Sequence, residues 1–377
     1  MASIHSFDGA LGGREHFFIV EGDAAADLPT QIKGVAAAYK QAQAQLGLAP
    51  WSAVFRRIFL SDVLNQASLV RDSDIFDDSV AISIVQQRPL RGAKVALLAY
   101  HVEDTKPLTK RRVSPRHLLV EKAGKRHLWS TRLCASDAER SLSSESQTRV
   151  VFDDLIHALA RQGGTLRDHC LRTWIYMKDV DIFYQGMVDS RNALFTQQGL
   201  TGDTHFIAST GIEGACAHRY DVVAMDAYSN MDVEQKQISY LNDFDRLCAT
   251  KDYNVSFERA SRVAYADRAH IFISGTASID SSGEVVHLGD VRRQLDRTLE
   301  NINALLSAGS ASLADMTHMI VYLRDPSDFE IVDPPLRERF PELPIIIVQG
   351  AVCRPEWLIE IEGVAIARND DAAMPRF

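Results

Sequence analysis

The segment QLDRTLENINALLSAGSASLADMTHMIVYLRD, residues 294–325, decides the fold because its pattern occurs three times in the chain. It consists of an amphipathic helix, a stop that contains glycine, and a strand rich in β-branched and aromatic residues that ends at an aspartate. The same order is found in QIKGVAAAYKQAQAQLGLAPWSAVFRRIFLSD from residue 31 and in QTRVVFDDLIHALARQGGTLRDHCLRTWIYMKD from residue 147. The opening glutamine and closing aspartate are 31, 32 and 31 residues apart in chain order. Three matches of nearly equal length predict an internal repeat.

The flanking segments repeat as well. A short apolar strand that begins with histidine precedes each helix, as HFFIVEG, HLWSTRL and HIFISGT, and a pair of strands follows each repeat. Each unit therefore reads strand, helix, strand, short helical piece, strand, strand. We predict three units with connectors at 104–116 and 230–254, and the units span 14–103, 117–229 and 255–368.

The pattern predicts an α+β fold in which each unit is a mixed β-sheet with helices on one face. Runs such as VALLAY and IIIVQG are continuously apolar, which is typical of strands covered on both faces. A single unit would leave one sheet face uncovered. Three units that close around a pseudo-threefold axis would cover it within one chain. The alternative is three independent domains on a string, but the connectors are too short and too apolar for flexible linkers.

Composition narrows the class of protein. The chain has 377 residues and a net charge of -9, which gives no electrostatic reason to expect nucleic acid. Its one basic cluster, KRRVSPR at 110–116, is expected to be a solvated connector. Five scattered cysteines fit reduced thiols, and no apolar run approaches the about 18 residues that span a bilayer. We expect a cytoplasmic protein without a membrane segment.

The sequence contains no motif for a cofactor. A Walker loop, GxGxxG and GxSxG are all missing from it, so a nucleotide cofactor and a serine hydrolase are unsupported. The pairs His169-Cys170 and Cys216-x-His218 do not have the spacing of a zinc site. We therefore expect neither a cofactor nor a metal.

Two carboxylates stand in the apolar strand of CRPEWLIEIEGVAIA, residues 353–367. Glu360 and Glu362 are two positions apart, so they project from one face of the strand at a spacing of roughly 6.6 Å and share one environment. In a poorly hydrated cleft both cannot ionise cheaply, and one would act as a general acid. The alternative is a solvent-facing edge strand. The equivalent positions of the other units favour a buried strand, since they hold Ala96 and Leu98, and Ala224 and Asp226.

The third unit, with HIFISGTASID, GDVRRQLDRTLENINALL, MIVYLRDPSDF and LIEIEGVAIA, resembles the RidA/YjgF superfamily. The other two units resemble it weakly but have the same layout. The resemblance implies a RidA-like, chorismate-mutase-like fold, whose small protomers form trimers with active sites in the clefts between subunits. Three such units in one chain resemble the chorismatase branch of this superfamily. Members of that branch hydrolyse or rearrange chorismate with loss of pyruvate.

The chain also departs from the RidA pattern. RidA imine deaminases carry an arginine shortly before the penultimate strand that clamps the substrate carboxylate, and here Ile345 stands at that place. Ile82 and Phe206 are near the same place in the other units. This difference argues against a standard hydrolysis of 2-imino acids. Cys353 followed seven residues later by Glu360 resembles the chorismatase pattern, in which the glutamate is the catalytic acid and the cysteine varies with product type.

Further candidates surround the two carboxylates. Cys353 could be a nucleophile or a small hydrophobic filler. Arg354 could pair with a substrate carboxylate, or it could neutralise a neighbouring glutamate. Ser274 and Gly275 match a RidA position that lines the pocket, although a turn at the end of a strand would explain them equally well.

Residues outside the final segment are candidates for substrate binding. Arg259 and Arg262 lie upstream of the HIFISGT strand and could bind carboxylates, with a surface role expected for at least one. Tyr184 and Arg191, in YQGMVDSR of the second unit, would cross the boundary between units, since sites of the family are built from two neighbours.

The resulting hypothesis is a chorismatase-like enzyme that acts on a small carboxylated molecule, with Glu360 as the acid and Glu362 as its neighbour. One alternative is a RidA-type imine or enamine hydrolase with a non-standard clamp. Another is a non-catalytic member that binds a small metabolite. Association of the pseudo-trimers into a homo-oligomer stays open.

Overall fold

Three mixed β-sheets with helices form the protein. The computed structural model describes residues 2–136, 143–216, 218–250 and 255–377. Each sheet contains antiparallel neighbours and one parallel pair, and its long helix packs on one face. The predicted α+β class and the three-unit repeat are confirmed.

The first unit contains five strands and two helices, which are β1 (Ser3–Asp8), β2 (Arg14–Glu21), α1 (Leu28–Leu46), β3 (Ala53–Leu60), α2 (Val63–Arg71), β4 (Ala81–Gln86) and β5 (Val95–Glu103). The strand order is β1-β2-β5-β3-β4, and only β3 and β4 are parallel neighbours. Asp27 and Asp62 accept hydrogen bonds from the first turns of α1 and α2, so each helix begins directly after a capping aspartate.

The second unit follows the same order, and its described residues form six strands. Its elements are β6 (Thr109–Ser114), β7 (His117–Lys122), β8 (Lys125–Cys134), α3 (Ser144–Arg161), α4 (Leu166–His169), β9 (Cys170–Met177), α5 (Val180–Gln197), β10 (Ala208–Glu213) and β11 (Val223–Asn230). The strand order is β10-β9-β11-β8-β7-β6, with β10 parallel to β9. Edge strand β10 of this sheet faces the third unit.

The third unit also has six strands, in the order β12-β13-β14-β17-β15-β16 with β15 parallel to β16. It is built from β12 (Ile238–Leu241), β13 (Ala260–Ala264), β14 (Arg268–Ala277), α6 (Val291–Ala308), β15 (Met316–Leu323), α7 (Phe329–Arg339), β16 (Ile345–Gln349) and β17 (Ile359–Arg368). Central strand β17 lies between β14 and β15 and carries both glutamates.

The glutamine that is repeated at the start of each long helix explains why the three units have nearly the same spacing between helix and final strand. Gln31, Gln147 and Gln294 are buried near the start of the long helices. The side-chain oxygen of each accepts a main-chain N–H just at the start of the last strand of its own sheet, from Lys94, Val222 and Leu358, at 2.8–2.9 Å. A buried amide needs such partners. The helix and the final strand are therefore held at the same relative position in all three units.

The sheet faces without the long helices meet in a shared core. Aromatic contacts join every pair of units: Phe55 with Trp129 at 4.9 Å, Tyr228 with Phe272 at 5.6 Å, and Phe17 with His318 at 5.2 Å between ring centroids. The strands in VALLAY and IIIVQG are buried throughout except for the final glutamine, as predicted. Each unit thus covers the sheet face that it would expose alone.

The connectors differ from the prediction because they form edge strands. The expected solvated cluster at 110–116 forms most of β6 and the turn that pairs it with β7. Lys110 and Arg112 donate to main-chain carbonyls of the first unit, at Ala53 and at Asp78 and Val80. Part of 230–254 forms β12, while 251–254 lie outside the described residues. The unit bounds 14–103, 117–229 and 255–368 stay a prediction.

Candidate active site

Strand registers define equivalent positions in the three units. Glu360 lies opposite Tyr322 and Glu362 opposite Ile320 on the neighbouring strand. The same two positions are Ala96 and Leu98 opposite Phe59 and Arg57, and Ala224 and Asp226 opposite Tyr176 and Trp174. All of these side chains on the final strands are buried. The strand that carries the two glutamates is therefore not a solvent-facing edge.

A cleft of about 220 Å³ lies at the boundary between the second and third units. We call it the acid cleft. Strand β10 and helix α5 form its wall in the second unit, while β14, β17 and the loop before β17 form its wall in the third. Seven of the ten residues expected to form the site line it, namely Tyr184, Arg191, Arg259, Gly275, Cys353, Arg354 and Glu360.

Glu360 is the carboxyl side chain that borders this cleft. Its side chain is buried, and burial raises the pKa of the carboxyl to about 8, with a further increase from the negative charge of Glu362. The charges of Arg172 and Arg259 act in the opposite direction. The carboxyl rests on the backbone of Gly275, where an added Cβ would stand 2.2 Å from Glu360 Oε1. A carboxylic acid that is mostly protonated at neutral pH can donate a proton.

Glu362 does not line the acid cleft. It points into the shared core, where Arg172 Nη2 lies 2.6 Å and Arg57 Nη1 3.3 Å from its two oxygens. The Tyr322 hydroxyl donates to it at 3.0 Å, and the Thr210 hydroxyl donates to its other oxygen. The two glutamates share a strand face but not one environment, because Glu362 is ion-paired and Glu360 borders the cleft. This corrects the expectation of a shared setting.

Three arginines give the acid cleft a positive wall. Arg259 donates to the Cys248 carbonyl at 3.2 Å and lies over the Phe257 ring. Arg354 donates to the Gly283 carbonyl at 2.8 Å and lies over Trp357 at 4.7 Å. Arg191 enters from α5 and is buried. Guanidinium groups fixed in this way suit a ligand with more than one carboxylate.

Cys353 lies beside Glu360 in the cleft. Burial raises the pKa of the thiol to about 12, the Glu360 charge adds to the increase, and a hydrogen bond with Tyr184 opposes it. Since the thiolate is the nucleophilic form, this thiol is poorly suited to attack at neutral pH. The geometry favours the filler alternative over the nucleophile.

Two expected binding residues lie outside the cleft wall. The Ser274 hydroxyl donates to the Glu258 carbonyl at 2.6 Å and accepts from the Ser209 N–H at 2.9 Å, so it joins the two units. Arg262 extends toward Asn369, with Nη2 3.3 Å from the amide oxygen. Ser274 is fully buried, and neither residue is among those that line the acid cleft.

The structure corrects which residue of the second unit stands where RidA proteins carry the clamp arginine: it is Ser209 and not Phe206. Ile345 begins β16, which is not a wall of the acid cleft. The wall is β10, whose register places Ser209 at the position equivalent to Ile345, since Ser209 pairs with Thr173 as Ile345 pairs with Met319. Phe206 precedes that strand. The clamp position that faces this cleft therefore holds a serine.

Sequence reasoning missed Thr210, Arg57 and Arg172. All three surround Glu362, and Thr210 also lines the cleft. The two arginines had the same signal as Glu362, a charge inside an apolar strand, in FRRIFL and LRTWIYM. Thr210 has no signal of its own, since its importance depends on which edge strand forms the boundary.

In 2–136, 143–216, 218–250 and 255–377, no group of three or more histidine, cysteine or acidic residues could hold a metal ion. Among the helices of the same ranges, none combines the length and apolarity that crossing a bilayer requires.

The fold and the site define a class of protein with three fused α+β units in one chain and a cleft between two of them, and comparison with known proteins identifies the family. Residues 256–367 match the sequence profile of the family described as Endoribonuclease L-PSP. The 3-aminoacrylate deaminase RutC of Acinetobacter baylyi is 37% identical over 97 residues, which cover 25% of this chain and 77% of that protein. The chain belongs to this family, the RidA/YjgF (L-PSP) family.

A second protein matched by sequence and a solved structure matched by fold extend the comparison. The 3-hydroxybenzoate synthase of Streptomyces hygroscopicus is 34% identical over 116 residues, which cover 28% of this chain and 34% of the synthase. The match thus spans about a third of that relative's length. The crystal structure of a chorismatase superposes with a TM-score of 0.62 at 16% identity, and the match covers 84% of this chain and 93% of that one. The fold of all three units is therefore shared with a chorismatase.

Proposed function

We propose that the protein is a chorismatase-like enzyme that releases pyruvate from chorismate or a closely related dicarboxylate. The observation that carries the proposal is Glu360, a buried carboxyl with a pKa raised to about 8 beside three arginines. Protonation of a weakly basic carbon requires an acid that keeps its proton at neutral pH. The name of the 3-hydroxybenzoate synthase relative gives a hydroxybenzoate as the product of that protein, which fits loss of pyruvate from a cyclic carboxylate.

In the proposed reaction, Arg191, Arg259 and Arg354 bind the substrate carboxylates and orient the enolpyruvyl ether. Glu360 gives its proton to the terminal methylene carbon, which becomes a methyl group, and the ether carbon becomes an oxocarbenium ion. Water or a group of the substrate itself then adds to that carbon. With water, the adduct loses its ring oxygen as an alcohol to form pyruvate, and the proton released by water restores Glu360.

The three arginines would stabilise the substrate, and among the described residues that line the cleft Glu360 is the acid that must be protonated. The alkaline limb of kcat/KM is therefore expected near pH 8, because activity falls as Glu360 loses its proton. Below that pH the acid is in its working form.

The test is the incubation of purified protein with chorismate and a coupled assay for pyruvate, with Glu360→Gln as the matched variant. General acid catalysis contributes about 10²- to 10⁴-fold, so Glu360→Gln is expected to lose that much activity. Pyruvate release by the wild-type protein no faster than by Glu360→Gln would refute the proposal. Mass analysis of the ring product separates hydrolysis, which keeps both ring oxygens, from rearrangement to a hydroxybenzoate, which needs no water.

A second candidate is hydrolysis of an imine or enamine, as the name of the RutC relative indicates for that protein. Ser209 at the clamp position weighs against it, while the cleft arginines could bind a carboxylate from other positions. Faster ammonia release from freshly generated imino acids, without pyruvate release from chorismate, would favour this candidate.

A further inference from the structure

Thr210 occupies the point where the acid cleft and the buried ion pairs meet. It comes from β10 of the second unit and is itself buried in the cleft wall. Its hydroxyl donates to Glu362 and accepts from the Gly275 N–H at 2.9 Å and from Arg172 Nη2 at 2.5 Å. These partners belong to the second and third units, so one hydroxyl joins them.

The hydrogen-bonding capacity of this hydroxyl is used up. A threonine hydroxyl has one proton to donate and two lone pairs to accept with. The proton goes to Glu362, and the two lone pairs receive Gly275 and Arg172. Although Thr210 lines the cleft, its hydroxyl has no capacity left for a substrate. Any effect of the Thr210 hydroxyl on the cleft is therefore exerted through the groups to which it is hydrogen-bonded.

One of those partners supports the acid directly. Gly275 lies in the β-bulge of β14, between Ile273 and Thr276 in the pairing with β17. The Glu360 carboxyl packs against it so closely that a Cβ on Gly275 would stand 2.7 Å from Glu360 Cδ and 3.1 Å from Thr210 Cγ2. A shift of the bulge would therefore move the surface on which the acid rests.

The boundary between the first and second units provides an internal comparison. There Ser83 occupies the position equivalent to Thr210 and donates to Asp226, the counterpart of Glu362, at 2.5 Å. The bulge amide at that boundary belongs to Arg132 and donates directly to Asp226 at 2.9 Å. A hydroxyl paired with a carboxylate is thus a general feature of both boundaries. Only Thr210 also holds the bulge amide.

We infer that Thr210 is a positioning residue for the acid: its hydroxyl ties the Gly275 bulge to the Glu362 ion pairs and so fixes the wall that orients Glu360. The inference rests on the proposed function for its effect on catalysis. Thr210→Val removes the hydroxyl at nearly constant volume, which leaves the Gly275 N–H without its acceptor. Thr210→Ser keeps the hydroxyl, and Ser83→Ala removes the equivalent hydroxyl where no acid is supported.

The first measurement is amide hydrogen exchange of Gly275 by NMR, which does not depend on activity. The wild-type protein and Thr210→Ser are expected to protect this amide, whereas Thr210→Val is expected to exchange it at least about tenfold faster. Ser83→Ala is expected to leave it protected. An unprotected Gly275 amide in the wild-type protein overturns the inference even if Thr210→Val fails to fold.

The second measurement is steady-state kinetics of pyruvate release. Thr210→Val is expected to lower kcat about 10- to 100-fold with little change in KM, because a misplaced acid acts mainly on the chemical step. Thr210→Ser should recover kcat to within about threefold, and Ser83→Ala should keep it. Equal losses in Thr210→Val and Ser83→Ala would mean a merely structural role and overturn the inference. If the wild-type protein releases no pyruvate from chorismate, the proposed function is overturned instead. The hydrogen-exchange rates of the Gly275 amide in the variants then decide whether Thr210 holds the bulge.

Discussion

The two boundaries that involve the second unit have the same strand arrangement and the same hydroxyl–carboxylate hydrogen bond, which we call the framework, but they differ in the side chains that fill it. At each, an edge strand of one unit, β4 or β10, meets a bulged strand of the next, β8 or β14. At each, a hydroxyl on the edge strand donates to a buried carboxylate. The framework therefore exists independently of the acid.

The contents differ at two positions. Where the acid cleft has Gly275 and Glu360, the other boundary has Arg132 and Ala224. Arg132 has a positive φ of 58° and extends over Phe76 of the first unit, with 5.6 Å from its guanidinium carbon to the ring centroid. Ala224 packs with Cys134 and Cys216 in a small apolar cluster. The acid cleft therefore differs from the other boundary in having a glycine in the bulge and a carboxyl on the final strand, where the other boundary has an arginine and an alanine.

The largest loss of activity is expected for Gly275→Arg, which places in the acid cleft the residue that the other boundary has at this position, Arg132. A side chain at this position collides with Glu360, since even a Cβ would stand 2.2 Å from its carboxyl oxygen. The Glu360 carboxyl would have to move, and a shift of about 1 Å in a catalytic group is expected to lower kcat/KM about 100-fold or more. Pyruvate assays and thermal unfolding of Gly275→Arg and Gly275→Ala test this. The control is Arg132→Gly, which should keep wild-type activity, and wild-type activity in Gly275→Arg would contradict the prediction.

The positive wall is tested with a pair of arginines from one segment. Arg259 lines the cleft and Arg262 points toward Asn369. A hydrogen bond to a charged group is worth about 1.5–3 kcal/mol, so Arg259→Gln should raise KM about 10- to 100-fold. Arg262→Gln should leave KM unchanged. Similar KM values for the two variants in steady-state kinetics would argue against carboxylate binding by Arg259.

The pH dependence is tested with Glu362→Gln. The Glu362 carboxylate raises the pKa of Glu360, so its removal should lower that pKa and move the alkaline limb of kcat/KM to lower pH. The variant should also lose about 3–5 kcal/mol of folding free energy, because two buried guanidinium groups lose a partner. Asp226→Asn at the other boundary is the control and should leave the limb in place. A limb that stays put or rises in Glu362→Gln would show that Glu362 does not tune the acid.

The smallest effect is expected for Cys353→Ala. Since burial and Glu360 raise the pKa of this thiol to about 12, it stays protonated and is not needed as a nucleophile. Pyruvate release should stay within about threefold of wild type. A loss as large as that of Glu360→Gln would restore the nucleophile alternative. Product analysis of the same reactions reports whether the residue affects product type.

The sequence predicted what depends on local pattern. The period of each helix and strand, the repeated glutamine and the closing aspartate defined the three units, and every one of these features lies within a single unit. Comparison of the units then singled out the pair Glu360 and Glu362, and the family resemblance selected Glu360 as the acid. Tyr184 and Arg191 were also expected in the cleft, because the family resemblance implied a site between neighbours.

Contacts between units that the family resemblance did not imply could not be predicted. Arg57 and Arg172 are 305 and 190 residues from Glu362 in sequence, so no local pattern connects them. Thr210 became important only once β10, rather than β16, was known to face the acid. For Ser274 the sequence left a ligand contact and a turn at the end of a strand equally open. The residue joins two units instead, since its hydroxyl already has a donor and an acceptor.

The ion pair between Arg57 and Glu362 breaks the symmetry of the shared core. The position of Arg57 is taken by Trp174 and Ile320 in the other units, and that of Glu362 by Leu98 and Asp226. Arg57 lies 4.7 Å over Trp174, so one copy of the position packs on another. An assembly of three identical subunits would place the same residue at all three copies, and three arginines facing one another would repel at low dielectric. Joining the units in one chain permits a charged residue in a single copy, so equivalent positions of the shared core can differ in charge from one unit to the next.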